Sequence, residues 1–226
     1  QRAGQGTLAL AEAGDGCGKA TQTRALLARL QQEGRRVHKV EFPDYGSESS
    51  ALIRLYLSGA FGKRAQDVNA YAASTFFAVD RYASFRMKWK TWYDQGDIIL
   101  ADRYTTSNMV HQAVKLTDPE ERDSFLAWLW DLEFVKMGLP VPDAVVFLDV
   151  PPAISRELIA ARSAASQQAK DIHEQDDKYL EDCHRAYCEL AEKYRWAAIQ
   201  CSQNGMLLSI EQIHEVVYQQ VVAVIK

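Results

Sequence analysis

The stretch EAGDGCGKATQT, Glu12 to Thr23, places three alternating glycines ahead of a lysine. Gly14, Gly16 and Gly18 permit positive φ and close backbone approach, so successive N–H groups can turn toward an anion where a helix begins. Lys19 would then reach outer phosphates. The pattern departs twice from G-x-x-x-x-G-K-[ST]: Ala13 fills the first glycine position, and Ala20 the position whose hydroxyl normally binds Mg²⁺. A dinucleotide fingerprint fits less well, because Lys19 stands where G-x-G-x-x-G needs its third glycine. An ordinary glycine turn is the plain alternative; a strand before and a helix after favour the phosphate cradle.

Asp102 and Arg103 follow the apolar run Ile98 to Ala101. A carboxylate there can hold Mg²⁺ directly or through water while the guanidinium forks onto a phosphate, as phosphoryl transfer requires. Taken alone, such an acid–base pair is as often a structural ion pair. Phe77 and Arg81, four apart in FFAVDR, offer an apolar plate beside a fork of donors, which suits a nucleobase. Taken alone, that pair reads as core packing, with Arg81 bound to a neighbour such as Asp80.

The elements needed to position these residues are legible. Thr7 to Ala11, Val37 to Phe42, Ile98 to Ala101, Ala144 to Leu148 and Trp196 to Ile199 read as strands. Between them lie helical patterns: Lys19 to Glu33, a long aromatic-rich run from Asn69 to Gln95, a region around Trp128 and Trp130, a helix from Pro151–Pro152, Tyr179 to Tyr194, and Ile210 to Ile225. Ser49 or Ser50 is placed to cap the helix that follows Pro43 to Ser50. RSAASQQAK, Arg162 to Lys170, has no apolar face and reads as a mobile surface lid. Strands alternating with helices imply an α/β fold with a parallel, doubly wound sheet, whose ligands bind beyond the strand carboxyl ends.

With 226 residues and 47% hydrophobic content, the chain suits a single well-buried domain, residues 1–226. A net charge of -4 supplies no basic excess for a nucleic-acid polymer. Cys17, Cys183, Cys188 and Cys201 lack C-x-x-C spacing or His/Cys clustering suited to zinc, so the reading is reduced thiols and no structural zinc. No apolar run approaches the roughly 20 residues of a membrane span. Gln1 to Gly6, opening without methionine, reads as a processed terminus.

From Leu8 to about Val217 the chain resembles the thymidylate kinases, P-loop nucleoside monophosphate kinases. The likeness is carried by EAGDGCGK, by Phe42–Pro43, by FFAVDR (Phe76 to Arg81), by ADRY (Ala101 to Tyr104) and by KDIHE (Lys170 to Glu174). It implies a three-layer P-loop kinase fold, a five-stranded parallel sheet flanked by helices, with a lid at about 162–174. The implied activity is transfer of the γ-phosphoryl of ATP to dTMP, giving dTDP and ADP for dTTP synthesis, with Mg²⁺, in a cytoplasmic homodimer. Gly14, Gly16, Cys17, Gly18, Lys19, Ala20 and Thr21 would bind ATP. Asp15, Pro43, Arg54, Phe77, Arg81, Arg103 and Ser107 would bind dTMP: Asp15 at the sugar 3′-hydroxyl, Phe77 stacked on thymine, Arg81 on a base carbonyl, Arg103 on the phosphate. Lys19, Asp102, Arg103 and Arg162 form the implied catalytic set, with Asp102 at the metal or its waters. Cys17 stands where some members carry a basic residue, which leaves transition-state charge to Arg162 and Lys170. Tyr45 replaces a phosphate-binding arginine, a place left to Arg54, and His111 replaces an aromatic near the base. These departures keep two alternatives open: another pyrimidine monophosphate kinase, or a nucleotide-binding regulator without catalysis.

Overall fold

A computed structural model describes residues 5–14, 16–166 and 177–225, with the backbone alone at 162–166 and 177. In chain order it contains β1 (Thr7–Ala13), α1 (Lys19–Gln32), β2 (Val37–Glu41), α2 (Ala51–Leu57), α3 (Ala70–Ser84), α4 (Lys90–Asp94), β3 (Ile98–Asp102), α5 (Thr105–Ala113), α6 (Pro119–Trp130), β4 (Ala144–Asp149), α7 (Pro152–Ser166), α8 (Asp177–Tyr194), β5 (Ala197–Gln200), β6 (Ser202–Gln203), β7 (Met206–Leu207) and α9 (Ile210–Val222).

Every residue of β1 is buried, as a central strand covered on both faces must be. β3 and β4 pair with it in parallel, β2 and β5 lie outside them, and the order is β2-β3-β1-β4-β5. Parallel neighbours need crossover connections, and the helices supply them on both faces. On one face Leu26 and Leu30 of α1 and Ile213, Val217 and Val221 of α9 cover Ala9, Ala13, Leu100 and Leu148. On the other, Phe85, Trp89 and Tyr93 cover Leu8, Leu10, Ile99 and Ala101, while Phe147 joins Phe125, Tyr187 and Leu190. The period of two along β1 therefore sends its leucines and alanines to opposite layers. This is the expected α/β architecture.

Several local expectations change. The long helix starts where expected, with the Asn69 side chain accepting from Ala72 N at 2.8 Å. A π-helical segment, Phe85–Trp89, then separates α3 from α4. There Phe85, Trp89 and Tyr93 form successive tilted and edge-on ring contacts at 4.5 and 6.2 Å, seated on the sheet. The serine cap is Ser47, which accepts from Ser49 N, while the Ser50 hydroxyl donates back to Ser47 O at 2.8 Å and makes no capping bond. Residues 162–166, expected in a mobile lid, continue α7. Ala160, Ala161, Ala164 and Ala165 are strong helix formers, enough to carry the helix through a stretch without an apolar face. The remainder of the expected lid, with Lys170 and KDIHE, lies outside the described residues. The hairpin β6–β7 escaped sequence reading although Asn204 and Gly205 at its turn both take positive φ.

Candidate active site

β3 ends at Asp102 opposite Ala11 and β1 runs two residues further, to Ala13, so the glycine loop and the Asp102–Arg103 pair share one edge of the sheet. Gly16 has φ 75°, and a Cβ there would stand 2.6 Å from Ile159 Cγ1 of α7. Glycine is therefore required twice over, by conformation and by space. Gly18, at φ 80°, leads into α1 without a side-chain cap, which leaves the first-turn amides for a ligand oxygen. Cys17 is buried in the core beside α1, so the loop offers its backbone and not its thiol. Lys19 Nζ lies 3.0 Å from Asp102 Oδ1, each side chain 12% exposed.

Arg103 holds φ 66°, a left-handed conformation uncommon outside glycine and concentrated at functional turns. Its Nη1 donates to Ser107 Oγ at 3.2 Å, and Ser107 in turn donates to Glu12 Oε2 at 2.7 Å. Glu12 is fully buried and also accepts from Tyr104 N at 3.2 Å, from the Tyr187 hydroxyl at 3.2 Å and from the Thr106 hydroxyl. It thus pins the start of α5, where a carboxylate also complements the helix dipole. A second fully buried acid, Glu133, receives Thr105 Oγ1 at 2.6 Å and a bidentate grip from Arg81, Nε at 2.7 Å and Nη2 at 2.5 Å. Three successive hydroxyls, Thr105, Thr106 and Ser107, are therefore shared between two acids beneath the loop that carries Arg103.

Arg81 pairs with Glu133 rather than with Asp80. Two of its three guanidinium nitrogens, Nε and Nη2, are so engaged. Asp80, also fully buried, instead accepts from Asp44 N at 2.8 Å and Ser49 Oγ at 2.6 Å, tying the loop after Pro43 to α3. Arg54 braces the same loop through Tyr45 O, Ser47 O and Ser50 Oγ, at 3.1, 3.2 and 2.5 Å. Phe77 is half-buried, edge-on to Tyr56 with ring centroids 6.1 Å apart, one turn before Arg81. His111 is a buried core group whose carbonyl accepts from Tyr179 Oη at 2.8 Å and whose Nδ1 lies 3.6 Å from Cys183 Sγ. Thr21 and Ala20 occupy the first turn of α1, Ala20 exposed. Asp15 and the Arg162 side chain lie outside the described residues, although Arg162 follows Ile159 by one turn of α7.

Two ionisable groups near this framework are perturbed. Burial, reinforced by Glu133, holds the Tyr104 phenol well above its usual range, and it donates to Pro140 O at 3.1 Å. Burial lowers Lys115 to about 7, although its ammonium donates to Tyr56 Oη and Val68 O at 3.1 and 2.9 Å. Sequence reasoning missed Glu12, Asp80 and Glu133. For Glu12 a signal existed: it shares strand parity with Leu8 and Leu10, and an acid on a buried face must be met by donors.

The chain matches the thymidylate kinase family model over residues 12–215. The chain belongs to the thymidylate kinase family. It is 33% identical to the thymidylate kinase of Mycobacterium tuberculosis (strain H37Rv), over 82% of this chain and 87% of that one. Identity to the thymidylate kinase of Bifidobacterium longum (strain NCC 2705) is 30%, covering 84% of this chain and 87% of that one. For the probable thymidylate kinase of Thermococcus onnurineus (strain NA1) it is 30%, covering 88% and 89%. Membership in the thymidylate kinase family makes the chain an ATP-dependent nucleoside monophosphate kinase and, with the parallel sheet, establishes the P-loop kinase fold. Among the described residues no helix is long and apolar enough to cross a membrane.

Proposed function

We propose that this edge of the sheet transfers the γ-phosphoryl of ATP to the 5′-phosphate of dTMP, producing dTDP and ADP. The observation that carries the reading is the Lys19–Asp102 pair at 3.0 Å beside a left-handed Arg103, all against the glycine loop. ATP phosphates would lie on the Gly14 to Thr21 backbone and draw Lys19 from Asp102. Arg103, held through Ser107 and Glu12, would clamp the dTMP phosphate so that one of its oxygens faces the γ-phosphorus in line. Phe77 would stack on the base, Arg81 Nη1 would meet its carbonyl, and Asp15 the sugar hydroxyl. Pro43 and Arg54 would shape the acceptor side through the loop tied to Asp80. Arg162, carried on α7, would add charge at the transferring group. Positioning and charge neutralisation then carry the reaction, with no covalent role for a side chain.

The donor set fits Mg²⁺. Asp102 places a carboxylate at the strand end, while Ala20 supplies no hydroxyl and Glu12 is already engaged by four donors. Such a site takes its remaining ligands from substrate phosphates and water, the usual habit of this ion. Bound there, Mg²⁺ would neutralise phosphate charge.

Exposed Leu52 and Leu55 on α2 and Val79 and Tyr82 on α3 support a homodimer through these helices. By contrast Phe125, Leu126 and Leu129, within the apolar stretch around Trp128, are core. The four cysteines, none disulfide-bonded, support a cytoplasmic setting. ADP release, measured with ATP, Mg²⁺ and a panel of nucleoside monophosphates, tests the function. Turnover is expected with dTMP; turnover of UMP or CMP without dTMP, or ATP binding without turnover, overturns it. Light scattering tests the dimer.

A further inference from the structure

Behind the glycine loop, the end of β4 meets α8 in a cluster that phosphoryl transfer does not use. Asp149, His184 and Cys188 each present a ligand atom within 4.8 Å of the others, the one such group of three His, Cys, Asp or Glu side chains among the described residues. His184 Nε2 lies 2.8 Å from Asp149 Oδ1 and 3.9 Å from Cys188 Sγ. One ring nitrogen therefore faces a carboxylate oxygen and a sulfur together. A tetrahedral zinc ion with bonds of about 2.0–2.3 Å needs its ligand atoms about 3.3–3.6 Å apart. Both measured separations come within about half an ångström of that range, which rotamer adjustment can supply.

The surroundings also suit a metal. Gln200 Nε2 donates to Asp149 Oδ2 at 2.6 Å, and Cys201 N donates to Asp149 O at 3.0 Å. The carboxylate is thereby turned with Oδ1 toward the cluster, the kind of outer support that orients metal ligands. His184 and Asp149 side chains are 27% and 16% exposed and Cys188 is half-buried, which leaves an entry path and room for water as a fourth ligand. Nitrogen, sulfur and one carboxylate favour a borderline, thiophilic ion over Mg²⁺, which prefers all-oxygen surroundings.

We propose that Asp149, His184 and Cys188 bind Zn²⁺, fastening α8 to the end of β4. On binding, the Cys188 thiol gives up its proton to solvent and sulfur becomes a ligand. The spacing signal was present in the sequence as a histidine and a cysteine four apart, one face of a helix, but the third ligand comes from a strand 35 residues earlier.

The test titrates the metal-free full chain with Co²⁺ and then Zn²⁺, in excess Mg²⁺. Expected are one Co²⁺ per chain with a near-ultraviolet thiolate-to-metal band, and displacement of that Co²⁺ by Zn²⁺. Zn²⁺ in hundredfold excess over its dissociation constant should raise Tm by roughly 5 °C or more. Cys188→Ser should abolish the band and weaken Zn²⁺ at least about 100-fold, with kcat unchanged in the absence of Zn²⁺; His184→Gln should lose the metal likewise. A band that survives Cys188→Ser, which would place the metal at another thiol such as Cys183, overturns the proposal. So does no band at all, or binding that leaves Tm unmoved.

Discussion

Two acid–cation pairs lie close together in this protein and are put to different uses. Arg81 and Glu133 are 2% and 0% exposed, locked bidentately and joined by Thr105. Lys19 Nζ meets Asp102 Oδ1 at 3.0 Å, with 12% of each side chain exposed. The chemistry is the same, but a buried pair cannot exchange partners without leaving a charge in a low dielectric, whereas a pair at the lip of the sheet can. The first sets the floor under Arg103. In the proposed reaction the second would trade its partner for phosphate.

Glu133→Ala leaves the Arg81 guanidinium buried and uncompensated, and stability should fall by about 3–5 kcal/mol in urea denaturation. A loss below about 1 kcal/mol would show that water reaches Arg81. Lys19→Ala and Arg103→Ala should each lower kcat/KM by roughly 10² or more, equivalent to about 2.7 kcal/mol, with stability changed by less than about 1 kcal/mol. Near-normal kinetics in either would remove that residue from the mechanism.

Lys115 adds a third case, a half-buried amine met by a phenol and a carbonyl and, among the described residues, by no acid. Its folded pKa of about 7 lies below the ordinary 10.5. Between those values the unfolded chain holds the extra proton, so stability should rise with pH from about 7 to 10.5 and its Lys115 component should be flat below 7. The span is of order a few kcal/mol, read from the difference between wild-type and Lys115→Met denaturation across that window. The smallest effect is at Ala20. Ala20→Ser restores a hydroxyl to the first turn of α1 and should lower the Mg²⁺ concentration for half-maximal rate by roughly threefold, about 0.7 kcal/mol. An unchanged Mg²⁺ dependence would mean the ion never reaches that turn.

The strand–helix alternation, the parallel sheet and the edge on which the glycine loop meets Asp102 and Arg103 are all legible from the order of residues. Those features rest on local periodicity and turn chemistry, which neighbouring residues carry among themselves. That order also marks Phe77 and Arg81 as sharing a helix face. The pairing of Arg81 with Glu133, the hold of Asp80 on the Pro43 loop, and the gathering of Tyr104, Thr106, Ser107 and Tyr187 around Glu12 emerge only in the folded chain. Each of those partnerships joins residues 31 to 175 positions apart. A buried acid announces that donors are needed, but which donors arrive depends on how the layers close over the sheet.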